Sequence, residues 1–267
     1  MKRRVAFVAI VVAALMAAAA LLAGCAQQAD STKPQLIIGY DEYRPYMYVD
    51  DDGNYAGTDA EIAIEACRRM GYEPVFEKID WQNRDEYLES GQVDCLWSCF
   101  SMNEREGEYA WVGPYMISRE VVAVRDGSSI YSLADLQGKR VAVKASTKPE
   151  EILLTREDAR IPQLENVCCL TSSEEVATAL RNEYVDAVAG HAAALRYQLA
   201  ADGVSYRFLD EDLLYAQIGV AFSKDSDVGV RQKLSSALSS MRADGTTRGI
   251  LVKYGLDPEK TLEGVGQ

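Results

Sequence analysis

The chain has 267 residues, with 41 acidic and 28 basic side chains and a formal net charge of −13 at pH 7. Such an acidic chain argues against binding to nucleic acid and against electrostatic adhesion to anionic lipid. Its length is enough for two modest lobes or one large domain, and a single histidine argues against a zinc site.

The N-terminus has the features of an export signal. Met1–Arg4 is positively charged, and the apolar run Val5–Leu22 that follows leads through small residues to Cys25. This cysteine resembles the lipobox of bacterial lipoproteins, which implies a lipoprotein signal peptide at 1–24 and a lipidated tether at 25–35. An uncleaved membrane anchor is the alternative, because the run is about long enough to span a bilayer. We expect an exported protein, lipid-anchored to the outer face of the cell membrane or in the periplasm.

Downstream, short apolar runs alternate with amphipathic segments. Gly and Pro mark the turns between them, and Ser or Thr precedes several of the helical segments. In chain order we predict strand 35–39, helix 59–70, strand 74–79, helix 85–90, a strand from 93, an extended crossing at 117–124, strand 140–144, a helix opened by Ser146 and Thr147, helix 173–182, strand 184–189, a helix from 192, an extended crossing at 215–222, and helices around 234–241 and up to 255.

One pattern occurs twice. Residues 86–97 and 179–189 both run from a helix through a polar turn and Val-Asp into an apolar strand, as in the closing half of a βαβ unit. Two such units with two extended crossings predict an α/β fold of two lobes with a ligand cleft between them. We predict lobe 1 at 36–119 and 220–262, and lobe 2 at 120–219.

Arg105 lies just beyond the buried strand that begins at residue 93. Open α/β sheets bind ligands at the carboxyl ends of their strands, and a guanidinium binds a carboxylate bidentately. We therefore predict that Arg105 anchors an anionic ligand group. The alternative is a surface arginine paired with Glu104, Glu106 or Glu108.

Several short motifs follow one another in a specific order and spacing. With them the chain resembles the bacterial family 3 extracellular solute-binding proteins, which are amino-acid receptors of ABC importers with the type II periplasmic-binding fold. The resemblance implies a small-molecule ligand, an ABC permease as partner, a monomer, and no catalytic residue, cofactor or metal. The motifs are Gly39–Tyr46, Gly57–Asp59, Ile79–Trp81, Gly91–Asp94, Asn103–Arg105, Ser132–Val141 and Ala243–Thr246.

The resemblance also implies a site for an amino-acid zwitterion. Arg105 matches the carboxylate-binding arginine of the family. Ser146, Thr147 and Lys148 match its second carboxylate contact, where a helix N-terminus offers free N–H groups. Tyr43, Tyr46 and Trp81 match the aromatic walls of the family's site. Asp41 matches a position that can meet the distal group of the ligand, and Ser98 lies near the contacts for its amine.

Three residues depart from the family pattern. Phe100 stands where the family commonly has Ser or Thr, and Ser146 stands where it commonly has Gly. His191 aligns with the acidic residue that binds the ligand's amine, and a neutral imidazole can only accept a hydrogen bond there. His191 alternatively just begins the following helix. The ligand thus stays open between an amino acid, a short peptide and another small carboxylate.

Two other functions use the same fold. A dehydratase-like enzyme needs a positioned acid or base, for which Asp41, Glu42 and His191 are candidates. A sensory lipoprotein binds its ligand in the same way but contacts a signalling partner.

The cysteines predict no disulfide framework. Besides Cys25 the chain has an odd number of them, which cannot pair completely, and none lies in a CxxC motif. We expect small buried apolar side chains at Cys67, Cys95, Cys99, Cys168 and Cys169.

Overall fold

The computed structural model describes residues 33–200 and 205–265. The strands are β1 (Gln35–Tyr40), β2 (Tyr48–Val49), β3 (Tyr55–Ala56), β4 (Glu73–Lys78), β5 (Cys95–Ser101), β6 (Ala110–Arg125), β7 (Arg140–Lys144), β8 (Asn166–Leu170), β9 (Ala187–His191), β10 (Tyr206–Phe208) and β11 (Leu214–Phe222). The α-helices are α1 (Thr58–Met70), α2 (Arg84–Glu89), α3 (Lys148–Thr155), α4 (Ser173–Arg181), α5 (Ala192–Ala200), α6 (Val228–Ala243), α7 (Thr246–Lys253) and α8 (Pro258–Thr261).

A mixed sheet runs through the molecule in the order β4-β1-β5-β11-β6-β9-β7-β8, with β10 also paired to β6. At one end β1 is parallel to β4 and β5, and at the other β7 is parallel to β8 and β9. The long strands β6 and β11 pair antiparallel in the middle. The predicted α/β class is confirmed, and both extended crossings are strands of this sheet.

The buried apolar side chains form separate clusters. Trp97 and Phe222 belong to a cluster built mainly from the chain before residue 120 and after residue 214. Leu133 and Leu153 belong to another, which lies within the segment between. Gln35–Gln267 is nevertheless one compact unit, so the boundaries of the two predicted lobes stay a prediction.

Some local predictions were wrong. The edge strand β8 and the short β10 were not predicted, because their half-buried sequences lack a clear apolar period. The strand predicted at 184–189 begins only at Ala187, since Asp186 is in the turn before it and accepts a hydrogen bond from Arg140 N at 2.8 Å. His191 is the last residue of β9 and does not begin α5.

The cysteines follow the prediction only in part. Cys67, Cys95 and Cys99 are buried and free, but Cys168 is half-buried and Cys169 is exposed, so the prediction was wrong for this last pair. Strand β8, which carries that pair, lies at the edge of the sheet, where one side is left uncovered.

Some predictions fall outside the described residues. The signal peptide at 1–24 and the lipidated Cys25 are among them. Across 33–200 and 205–265, no helix is both long enough and apolar enough to cross a membrane. In the same ranges no group of three or more His, Cys, Asp or Glu side chains is placed to hold a metal ion.

Candidate functional site

The carboxyl ends of four strands, β1, β5, β7 and β9, surround a small cavity. Its volume is about 30 Å³, which is room for about two water molecules. Ten of the eleven ligand-binding residues predicted from the sequence line it, namely Asp41, Tyr43, Trp81, Ser98, Phe100, Arg105, Ser146, Thr147, Lys148 and His191. Four lining residues were not predicted, namely Cys99, Ser101, Glu120 and Lys144.

Tyr46 is the predicted residue that does not line this cavity. It is fully buried, and its hydroxyl lies 3.0 Å from Ser118 Oγ. Ser118 Oγ in turn lies 2.8 Å from His191 Nδ1. Tyr46 therefore supports the cavity indirectly, because its ring packs against the rings of the lining residues Tyr43 and His191, with centres 5.6 and 5.7 Å away.

Arg105 is buried, with 8% of its surface exposed, so the alternative of an exposed surface arginine was wrong. Its Nη2 donates to Glu151 Oε2 at 3.0 Å, and its guanidinium lies 5.5 Å from the centre of the Phe100 ring. Trp111 Nε1 donates to the Arg105 carbonyl at 2.8 Å and fixes the backbone. The guanidinium thus already binds a carboxylate, and that carboxylate belongs to the chain itself.

Two lysines complete the positive lining. Lys144 Nζ lies 2.5 Å from Asp41 Oδ2 and 4.8 Å from the centre of the Tyr43 ring. Lys148 is almost fully buried, and its Nζ lies 2.6 Å from Glu104 Oε2 and 2.7 Å from Glu151 Oε1. Each lysine therefore has a carboxylate partner.

Asp59, on α1, holds the end of β5 in place. Its Oδ2 accepts a hydrogen bond from Cys99 N at 2.6 Å, and its Oδ1 accepts from Tyr115 OH at 2.9 Å. Burial raises the pKa of this carboxyl to about 6, against the opposing effect of those hydrogen bonds. Cys99 has a φ of 49°, which turns the strand end at the cavity wall. Ser98 Oγ donates to Asp41 O at 2.8 Å and joins this end to the loop after β1.

The loop from β7 into α3 forms another wall. Thr147 is the N-cap of α3, and its hydroxyl donates to Lys144 O at 2.6 Å. Ser146 has a φ of 60°, the left-handed region that glycine adopts at no steric cost. Pro149 lies in the first turn of the helix, where a missing N–H is harmless.

An aromatic wall is formed by Trp81 and Phe100, whose ring centres are 5.1 Å apart in an edge-to-face arrangement. Both are nearly fully buried. Phe100 therefore replaces a hydroxyl with a ring face beside the Arg105 guanidinium.

Glu120, in the middle of β6, is the important residue that sequence reasoning missed. It lies directly opposite His191 in the antiparallel register, and its Oε1 is 3.1 Å from His191 Nε2. Burial raises the pKa of Glu120 to about 8, with Arg105 opposing the shift. Burial and the nearby Lys144 lower the pKa of His191 to about 3. The available signal was a lone acid inside the apolar segment 117–124.

Comparisons with known proteins show which family the chain resembles. The model of the bacterial extracellular solute-binding proteins, family 3, matches residues 36–257. A probable amino-acid-binding protein of Bacillus subtilis, YxeM, is 24% identical over 253 residues, covering 92% of this chain and 93% of that protein.

Two solved structures are also similar. The crystal structure of Tv2483 bound to L-arginine is 25% identical with a TM-score of 0.76, covering 86% of this chain and 93% of that one. An ABC uptake transporter substrate-binding protein from Streptococcus pneumoniae with bound histidine is 25% identical with a TM-score of 0.75, covering 82% of this chain and 92% of that one. These neighbours confirm the predicted type II periplasmic-binding fold.

The family model covers most of the chain, including every residue that lines the cavity. This chain therefore belongs to the bacterial extracellular solute-binding proteins, family 3.

Proposed function

We propose that this protein is an extracytoplasmic receptor that captures an amino acid or a related small carboxylate and delivers it to an ABC importer. The observation that carries the proposal is the buried Arg105 guanidinium, which lines the cavity and already binds a carboxylate, that of Glu151. Arg105 contacts one oxygen of Glu151, and a ligand carboxylate in its place could offer both of its oxygens to the guanidinium. The relatives that bind arginine or histidine support an amino-acid ligand.

The surroundings of Arg105 favour a ligand acid. Lys148 and the N-terminus of α3 lie beside it, so a lysine charge and the positive end of the helix dipole converge on one region. Trp81 and Phe100 supply a ring surface against which the rest of a small ligand packs. We propose that five other lining residues also contact the ligand, namely Asp41, Tyr43, Ser98, Ser146 and Thr147.

Capture requires a movement, because about 30 Å³ is too small for an amino acid. In the proposed cycle the predicted lobes separate about β6 and β11, the ligand enters, and the lobes close over it. A membrane permease then binds the closed form. Micromolar affinity corresponds to about 8 kcal/mol, which a desolvated bidentate carboxylate and two aromatic contacts can supply after ordering costs.

Thermal unfolding with a ligand panel tests this proposal. Purified protein of residues 26–267 is expected to gain melting temperature with an amino acid or small carboxylate, because a ligand that binds only the folded state stabilises it. Arg105→Ala should abolish the gain. Arg68→Ala is the matched control, since Arg68 is exposed and pairs with Glu65 on the surface of α1. A broad panel that leaves the wild-type melting temperature unchanged would contradict the receptor function.

Export and anchoring are part of the same proposal. The positive and apolar start of the chain and its Cys25 support cleavage before Cys25 and a lipid on the thiol. A labelled fatty acid should be incorporated into the wild type and not into Cys25→Ser, whereas an unlabelled wild type that keeps residues 1–24 would favour the uncleaved anchor. A monomer is expected by light scattering.

We propose binding without catalysis. Of the candidates for a dehydratase, Asp41 is paired with Lys144 and Glu42 is at the surface near Lys78. His191 is held by Ser118 and Glu120. Product formation from prephenate or arogenate, followed by chromatography, would restore the enzyme hypothesis.

A further inference from the structure

Glu120 is a buried acid that lacks a cationic partner. Only 1% of its surface is exposed, and it lines the cavity. Within the described part of the chain its Oε1 contacts His191 Nε2, while its Oε2 has no hydrogen-bond partner. A buried carboxyl oxygen without a partner is costly, so its retention points to a group that arrives from outside.

The other charges of the cavity are already matched within the chain. Arg105 and Lys148 contact Glu151, and Lys144 contacts Asp41. Among the described residues, Glu120 is thus the lining acid with no Lys or Arg within ion-pair distance. A ligand that brings a carboxylate to Arg105 and a cation to Glu120 would complement both.

A second small cavity meets the first at Glu120 and His191. Its other lining is largely apolar and includes Val176, Ala189 and Leu195. Glu120 therefore lies between the two cavities with only 1% of its surface exposed, and an ion pair formed with it is little screened by bulk water.

We propose that Glu120 binds the α-ammonium group of an amino-acid ligand whose carboxylate is held by Arg105, an assignment that rests on the proposed function of the cavity. Glu120 is then a specificity-determining residue that selects amino acids over acids of the same shape without an amine. His191 stands where the family has the acid that binds the ligand's amine, and in this chain Glu120, which contacts His191, supplies that acid.

This capture is linked to a proton. Burial raises the pKa of Glu120 to about 8, so the ligand-free carboxyl is protonated at neutral pH. A ligand ammonium beside Glu120 favours the ionised form of its carboxyl group. Binding therefore converts the carboxyl to a carboxylate–ammonium pair and releases one proton to solvent, with no other bond made or broken.

The hydrogen-bond chain behind Glu120 accommodates either protonation state. His191 stays neutral at neutral pH, because burial and Lys144 lower its pKa to about 3. Its Nδ1 meets Ser118 Oγ, which meets Tyr46 OH, and each hydroxyl can donate or accept. Nε2 can thus accept from a protonated Glu120 or, in the other tautomer, donate to an ionised one.

Several other titratable or charged groups share the cavity with Glu120. Arg105 favours its ionised form, and the buried Tyr43 and Cys99 stay protonated because burial raises their pKa values. The groups that face Glu120 are Asp41 and Tyr43 from the loop after β1, Cys99 from β5, Arg105, Lys144 from β7, Lys148 from α3 and His191 from β9.

Calorimetric affinities test the assignment. The probes are L-histidine, L-arginine and L-glutamate, each compared with its analogue without the α-amine: imidazolepropionate, guanidinovalerate and glutarate. The wild type should bind at least one of the amino acids more tightly than its analogue. Glu120→Gln should weaken that amino acid by about 30-fold or more, the loss typical of a buried charge pair, and change the analogue little.

Glu73→Gln is the matched control, because Glu73 is an exposed residue on the edge strand β4, four strands away from β6. Equal binding of an amino acid and its analogue would overturn the assignment while leaving the receptor function intact. Binding of none of the probes, nor of any member of the thermal panel, would overturn both.

Proton counting on the wild type keeps the test independent of the variant's folding. Titrations in buffers of different ionisation enthalpy should show release of about one proton at pH near 6.5, decreasing above pH 8 as free Glu120 becomes ionised. Binding of an amino acid at pH near 6.5 with no proton released would overturn the assignment, because a protonated Glu120 cannot neutralise an ammonium.

Discussion

The chemistry of the cavity depends on which carboxylate neutralises each cation. Glu151 bridges Arg105 and Lys148, although 41% of its side-chain surface is exposed. A half-exposed ion pair contributes little free energy, because water and salt screen it. Glu151 is therefore a weak internal competitor for the group that Arg105 is proposed to bind.

We predict that Glu151→Gln increases the affinity for a carboxylate ligand. Removing the competing charge leaves Arg105 and Lys148 less neutralised. The affinity for the ligand should rise about two- to fivefold, which corresponds to the free energy of an exposed ion pair. Isothermal titration with the amino acid identified by the thermal panel measures it. Glu174→Gln is the control, because Glu174 is exposed on α4. The neighbouring Glu150 is unsuitable, because it accepts a hydrogen bond from Ser146 N. A weaker affinity would mean that Glu151 orients Arg105 for binding.

We also predict a pH-dependent cost of keeping Glu120 buried. The pKa of this carboxyl rises from 4.5 to about 8 on folding. Its contribution to stability is therefore fully present below pH 4.5 and is lost as the pH rises through about 8. Relative to Glu120→Gln, the wild type should lose about 2 to 5 kcal/mol of unfolding free energy between those limits. Denaturant unfolding at several pH values measures the difference, and parallel curves for the two proteins would contradict it.

At the scale of elements, the cavity depends on how each strand ends. The turn between β7 and α3 requires a left-handed residue, and Ser146 occupies it with a φ of 60°. A side chain in that conformation costs free energy that glycine avoids. The turn nevertheless places the Thr147 N-cap and Lys148 at the cavity.

We predict that Ser146→Gly stabilises the ligand-free protein by about 0.5 to 1 kcal/mol, because the strain is relieved. This corresponds to a melting-temperature increase of about 1 to 4 °C for a chain of this size, measured by scanning calorimetry. Ser90→Gly is the control, since Ser90 has a φ of −73° at the end of α2 and should not be stabilised by glycine. A lower melting temperature for Ser146→Gly would show that the Ser146 side chain stabilises the turn more than it strains it.

At the scale of the whole molecule, ion pairs beside the cavity cross between the predicted lobes. They join Asp41 to Lys144, Arg105 to Glu151, and Glu104 to Lys148. Each pair has one member in 36–119 and the other in 120–219. The pairs therefore favour the arrangement in which the cavity is closed.

We predict that the ligand-free protein opens when these pairs are weakened. Its radius of gyration should be larger at about 1 M salt than at about 0.05 M salt, because the Debye length shortens from roughly 14 to 3 Å. Glu104→Gln should enlarge it at low salt, whereas Arg248→Gln, which breaks a surface pair with Glu259, should not. Small-angle X-ray scattering measures the radius, and a salt-independent value would contradict the role of these pairs.

Much of the architecture could be predicted from the sequence. The helix 59–70 and both extended crossings have strong periodicity and clear turn residues, so their type was predicted correctly. In the repeated Val-Asp pattern, Asp94 accepts a hydrogen bond from Ile37 N, and Asp186 accepts one from Arg140 N. Edge strand β8 could not be predicted in the same way, since an edge strand is buried on less of its surface and needs no regular apolar pattern.

The sequence by itself determined the α/β class, the order of the elements and the place of Arg105 beyond a buried strand, because apolar period and turn residues are local properties. Only the tertiary structure decided that Glu151 binds that arginine and that Glu120 stands opposite His191. The partners in these pairs are 46 residues apart in the first case and 71 in the second. Such contacts depend on sheet register and on a helix end, and no local pattern encodes them.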